Sequence, residues 1–399
     1  MSALILRTIH CIRPAICIKK LKMFNFYVFF AIILFIEKQS LLLWGSKELM
    51  MKEDILYFAS DYMEAMHPDI LQKLVETNMQ KSLGYGDDAF SKLAKEKIRL
   101  ACNCKDAGVY FFIGGTQTNA VAISALLKSY EGVIAATSGH ISVHEAGAIE
   151  LRGHKVLTLA DSEGKLSAEQ IKSCVDTFNN DGSKTHMVFP RMVYLSQPTE
   201  YGTIYSIEEL TKISDVCKKN DLLLYVDGAR LAYALACEKN TISLQDLAEL
   251  CDAFYIGGTK CGAMLGEALV VPNPKLLPNF FTVMKQEGSV LAKGRLLGIQ
   301  FDTLFTDNLY LKIGKNALVL ADKIKAALVD NGYKLYLDSP TNQIFTIMDN
   351  SKLESLSQKV CFSLWEKYDD THSLIRFATD WATKESDVDK LIEIIKNLA

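Results

Sequence analysis

The chain has 399 residues, 49% of them hydrophobic, and a formal net charge of −3. That length holds a sizeable core and about two domains, and the weak acidic balance speaks against nucleic acid as a partner. Ten cysteines lie without paired metal spacing: Cys102 and Cys104 form C-x-C with no second pair, so no metal site is expected, and free thiols in a reducing cytoplasm are.

The first fifty residues differ from the rest. Met1–Lys22 is basic, with Arg7, Arg13, Lys19, Lys20 and Lys22, and Met23–Ile36 is almost wholly apolar. That run of about fourteen residues falls short of the roughly 20 a helix needs to span a bilayer, and no clear small-residue cleavage site follows it. Residues 1–50 are therefore expected to be spurious upstream translation, with the start at Met50 or Met51 and no membrane attachment. A signal or membrane segment is the alternative.

From Tyr57 the chain starts extended through Phe58-Ala59-Ser60-Asp61, and His67-Pro68-Asp69 marks a helix entrance. Gly84-Tyr85-Gly86-Asp87-Asp88 is a glycine-rich acidic turn with no assigned chemistry. Tyr110–Ile113 reads as a strand, Gly114-Gly115-Thr116 follows, and Ala120–Leu127 begins a helix. Strand, Gly-Gly-Thr and helix present free N–H groups and a hydroxyl at a helix N-terminus, which suits a phosphate by geometry and dipole; a Thr after glycines is also an ordinary cap. Val133–Ala136 is the next strand, followed by His140, His144 and Glu145. Met192–Ser196 is another, with the loop Gln197–Gly202 after it, and Ser206 and Glu209 have the spacing of a capping box.

The most informative stretch is 222–265. The apolar run Leu222–Val226 ends at Asp227, and Ala253–Ile256 ends before Gly257-Gly258-Thr259-Lys260, with a helix-length stretch between. Both runs read as buried strands, and α/β enzymes place ligands at the carboxyl ends of such strands. A buried Asp keeps a pyridinium nitrogen protonated, a Lys forms a Schiff base, and glycines let the backbone come close. Taken singly, Asp227 is a cap or turn residue and Lys260 a solvated loop lysine; together they point to a pyridine cofactor. Lys285, Lys293 and Arg295 follow as a basic segment, helical periodicity runs from about Asp307 to Leu328, Ile375–Thr379 reads as a strand containing Arg376, and a helix over 385–398 ends the chain.

With Asp227-Gly228-Ala229-Arg230 and Lys260 in place, the chain from about Tyr57 to its end resembles the threonine aldolase and β-eliminating lyase family of pyridoxal-phosphate enzymes. It departs from the family in carrying Thr259 where a Ser usually precedes the lysine. The resemblance implies an α/β fold of the aspartate-aminotransferase type (fold type I). A large cofactor domain within 51–306 would hold a mostly parallel seven-stranded sheet between helices, and 307–399 would form a small C-terminal α/β domain. It implies pyridoxal 5'-phosphate bound to Lys260, with Gly115 and Thr116 at the phosphate, Asp227 at the ring nitrogen, His140 flat on the ring as a candidate base, and Arg230 at the cofactor. Ser60, Arg230 and Arg376 would hold the substrate carboxylate. Basic residues at 285–295 would reach a neighbouring subunit's phosphate in a homodimer or homotetramer. The implied partner is a small amino acid, and the implied reaction is retro-aldol cleavage of a β-hydroxy-α-amino acid to glycine and an aldehyde in the cytoplasm. β-Elimination on another amino acid, transamination, and a non-enzymatic membrane-attached protein are the alternatives.

Overall fold

The computed structural model describes residues 55–398; the leader, and with it the expectation of a spurious start, lies outside them. The first strand, β1 (Leu56–Tyr57), stands apart from the main sheet. That sheet is made of β2 (Gly108–Phe112), β3 (Glu131–Ala136), β4 (Val156–Leu159), β5 (Phe189–Ser196), β6 (Leu223–Asp227), β7 (Ala253–Gly257) and β8 (Glu267–Val271). Their order is β2-β8-β7-β6-β5-β3-β4, and only β8 runs against its neighbours. The expected mostly parallel seven-stranded sheet is present.

Its strands are apolar on both faces because both are covered. Val193, Leu195, Leu224, Val226, Phe254 and Ile256 enter one core, and Met192, Tyr194, Leu223, Tyr225, Ala253 and Tyr255 enter the other. This two-residue period sets three tyrosines on one face of three adjacent strands, near their carboxyl ends.

Two local expectations are corrected. The stretch after Asp227 is two helices, Leu231–Ala236 and Leu244–Leu250, because Ser243 and Asp246 form a capping box that starts a second one. The helix after β2 begins at Gly115, not Ala120, with extended Gly114 as its cap, so Gly115 and Thr116 lie in its first turn. The helix entrance at His67, the Ser206–Glu209 capping box and the helices Leu309–Asp330 and Glu385–Leu398 match the sequence pattern.

The strands β9 (Lys334–Leu335), β10 (Gln343–Asp349), β11 (Val360–Cys361), β12 (Ser363–Lys367) and β13 (His372–Ala378) complete the set; four of them form an antiparallel sheet in the order β12-β13-β10-β9. Leu320, Ile324, Ile375, Phe377, Val388 and Leu391 join it to the two long C-terminal helices. β1 pairs in parallel with β11, and Phe58 enters the same core. The segment Ala59–Tyr62 thus leads from the β1–β11 pair to the cavity edge of the large sheet. Among the described residues no helix is long and apolar enough to cross a membrane.

Candidate active site

Strand polarity gathers the polar residues. The carboxyl ends of β2, β3, β5, β6 and β7 deliver Gly115 and Thr116, His140, Glu200, Asp227 and Lys260 to one edge, and antiparallel β8 brings its first residue, Glu267, to the same edge. These residues, with Tyr62, Arg230, Tyr255 and Thr259, line a cavity of about 300 Å³. Six of the residues expected at the cofactor therefore share one cavity: Gly115, Thr116, His140, Asp227, Arg230 and Lys260.

Asp227 is buried and accepts four hydrogen bonds. Tyr255 Oη (2.5 Å) and the Ala229 N–H (3.0 Å) donate to Oδ1, and Tyr194 Oη (2.6 Å) and Asn119 Nδ2 (3.0 Å) donate to Oδ2. Burial works against its charge, but His140 and the donors from Tyr194, Tyr255 and Asn119 override it, so the carboxyl stays below its ordinary pKa. Asn119 also donates to Glu145 Oε1 (2.8 Å) and accepts from Tyr225 Oη (3.0 Å). Glu145 Oε1 lies 2.7 Å from His140 Nδ1. With an ionised carboxylate as partner, Nδ1 carries the proton and Nε2 is left to exchange one. The His140 N–H donates to Glu200 Oε1 at 2.9 Å, and Ser196 Oγ donates to the same atom at 2.7 Å.

Lys260 sits among charges of both signs. Desolvation and the Arg230 charge lower its pKa, against Asp61, Asp227 and Glu267. More of the amine is thereby neutral and nucleophilic near pH 7.

Arg230 is committed to Asp61: Nε donates to Oδ2 (2.6 Å) and Nη2 to Oδ1 (3.0 Å), and Asn342 Nδ2 also donates to Oδ2 (3.0 Å). Only the Nη1 side of Arg230 remains for a ligand. Burial alone would raise the Asp61 carboxyl; the charges of Arg230, Lys260 and Arg376 hold it well below the usual carboxylate range. Asp61→Asn is expected to cost about 3–5 kcal/mol of stability, because it strands a buried guanidinium; urea unfolding of the two proteins measures it. Since the folded pKa is depressed, this contribution is complete above the ordinary carboxylate range and is lost only as pH falls through the folded value.

Ser60 and Arg376 are not among the residues lining the cavity. Ser60 adjoins Asp61. Arg376 is 7% exposed and has neutral partners: Nη1 donates to Gln343 Oε1 (2.9 Å), and Nη2 to the Ala59 carbonyl (2.9 Å) and Ser363 Oγ (3.1 Å). Its Nε has no partner, and the Trp365 ring lies 4.8 Å from the guanidinium carbon. Burial and the nearby Arg230 charge push its pKa down to about 10. Arg295, in the basic segment, donates to the carbonyls of Thr77 and Gln80.

The donor set fits pyridoxal phosphate. One wall carries a carboxylate pinned in its ionised form, another an amine of lowered pKa, and a third the open first turn of a helix. A Cβ on Gly115 would stand 2.9 Å from Tyr255 Oη, so the first turn comes this close to the Asp227 cluster only with glycine there. Among the described residues no group of three or more His, Cys, Asp or Glu could hold a metal ion.

Sequence inspection missed Tyr194, Tyr255, Asn119, Glu200 and Glu267. One of them left a signal: Glu267 heads the apolar strand Glu-Ala-Leu-Val-Val.

Residues 58–339 match the family model described as Beta-eliminating lyase. The low specificity L-threonine aldolase of Pseudomonas sp. (strain NCIMB 10558) is 32% identical over 85% of this chain and 96% of its own, and that of Pseudomonas aeruginosa is 30% identical over 86% and 96%. The solved threonine aldolase of Leishmania major superposes with a TM-score of 0.83 at 42% identity, covering 86% of this chain and all of its own. Aspartate aminotransferase from Thermus thermophilus, at 15% identity over 87% of this chain and 92% of its own with a TM-score of 0.64, shares the fold.

Proposed function

The chain belongs to the beta-eliminating lyase family, and from that premise we propose that it is a pyridoxal-phosphate-dependent aldolase that cleaves L-threonine, L-allo-threonine and related β-hydroxy-α-amino acids to glycine and an aldehyde. The observation that carries this is the bonded chain His140–Glu145–Asn119–Asp227, whose two ends, His140 and Asp227, line the Lys260 cavity. It ties an acid–base side chain to the carboxylate that would face the cofactor ring.

Pyridoxal phosphate, when bound, supplies the electron sink for the pair released from the broken Cα–Cβ bond. The protein does the rest. Lys260 would hold the cofactor through its amine. Asp227, kept ionised by its four donors, holds a ring nitrogen protonated. The first turn at Gly115 and Thr116 receives the phosphate. Arg376 and the free side of Arg230, with Ser60, hold the substrate carboxylate and so fix which bond at Cα is aligned for cleavage. His140, its Nδ1 held by Glu145, accepts the β-hydroxyl proton at Nε2, directly or through water, and the β-carbon leaves as the aldehyde carbonyl.

The described free cysteines, five of the eight buried, support a reducing cytoplasmic setting. Val75, Met79, Leu83 and Tyr85 are exposed large hydrophobics close in sequence to the Gly-Asp-Asp turn, which supports a homodimer or homotetramer.

Incubation with L-threonine, L-allo-threonine and a β-aryl serine tests the reaction. Glycine and the matching aldehyde in equal amounts are expected. Ammonia with a 2-keto acid in place of glycine would make the protein an eliminating lyase instead.

A further inference from the structure

We propose that Glu267 is the proton-carrying group at the phosphate end of the cavity: it admits an anion only as the neutral acid, so seating a phosphate-bearing cofactor takes up one proton whenever the free site has lost it. The proposal rests on the cofactor reading above and goes beyond it, because it assigns a role to a residue outside that mechanism.

Register places Glu267 at this end. It pairs with Phe112 on one side and with Gly257 on the other. It therefore stands between the two loops that build the site, Ile113–Thr116 and Gly258–Lys260. It is 3% exposed and lines the cavity. Its oxygens accept from the Gly258 N–H (3.0 Å) and Thr259 Oγ (2.8 Å), and Thr259 Oγ in turn accepts from the Gly266 N–H (3.0 Å). An ionised Glu267 thus behaves as an internal anion, taking the backbone and hydroxyl donors of the lysine loop and repelling a phosphate at the neighbouring helix N-terminus. A neutral Glu267 removes that repulsion and offers an O–H donor.

Burial raises its pKa, and Asp227 adds to this; the Thr259 and Gly258 bonds and Lys260 oppose it, and the result is about 8. The groups facing it are Lys260, Asp227, and Tyr225, Tyr255, Tyr310 and Cys261, the last four of which burial holds in their neutral forms. Binding transfers a proton from solvent to a Glu267 oxygen and breaks no other bond.

The test is calorimetric titration of the cofactor-free protein with pyridoxamine phosphate, which has no aldehyde to bond to Lys260, at about pH 7 and about pH 9 in buffers of different ionisation heat. Wild type is expected to take up a proton at the higher pH and to lose affinity, relative to Glu267→Gln, by up to about tenfold per pH unit above the Glu267 pKa. Glu267→Gln, of the same shape and neutral throughout, is expected to show neither effect. Pyridoxamine, lacking the phosphate, should show no such uptake on wild type, a control that needs no variant. Equal uptake and equal pH slopes in wild type and Glu267→Gln, or for both ligands on wild type, would overturn the proposal. Absence of pyridoxamine phosphate binding at about pH 7 would overturn the cofactor reading and the proposal with it.

Discussion

Lys260→Ala is expected to lose about 10⁴-fold or more in kcat on L-threonine, the upper end of what one positioned acid–base group contributes. The expectation follows from its surroundings. Lys260 is the lysine of the cavity, and desolvation and the Arg230 charge lower its pKa, which favours the nucleophilic form of the amine. The Ala variant keeps Asp227 and the Gly115–Thr116 turn, so it should still bind the cofactor, though without a covalent link. Because no described residue hydrogen-bonds to Lys260 Nζ, the unfolding midpoint of the variant should stay close to wild type. Rates within tenfold of wild type would remove Lys260 from the chemistry.

Arg376→Ala is expected to raise KM for the amino acid with a cost of about 2–5 kcal/mol, the range for truncating one partner of a buried charge pair. The structure sharpens the reason. A guanidinium 7% exposed, with only neutral partners and an orphan Nε, is a buried charge without its counterion. Asp61 could have served, but Arg230 has taken both of its oxygens. A bound carboxylate would complete the arrangement. Arg376→Lys should recover only part of the loss, since an ammonium lacks the planar fork. Cofactor affinity should be unchanged in both variants. Unchanged kcat/KM in Arg376→Ala would take Arg376 out of the site.

Asp227, Lys260 and the large sheet were legible in the sequence because apolar runs that end in chemistry-bearing residues are local patterns. The two-residue alternation that puts Tyr194, Tyr225 and Tyr255 on one face is also local, but what their hydroxyls reach is not. Asn119 meets Asp227 across 108 positions of chain, and Asp61 meets Arg230 across 169. No window of sequence contains either pair. The same distance hid how Arg230 is divided: the motif around it suggested a ligand contact, whereas most of its fork is spent on Asp61. The early helix start at Gly115 was missed for a different reason. Glycines there read as loop, yet the close approach to Tyr255 requires one of them inside the first turn.

The claim that Lys260 carries the cofactor in this cavity is tested most directly by borohydride reduction of the pyridoxal-phosphate-loaded protein, followed by peptide mass analysis. One modified peptide, containing Lys260, is the predicted result. Modification at another lysine, or none after loading, would contradict it.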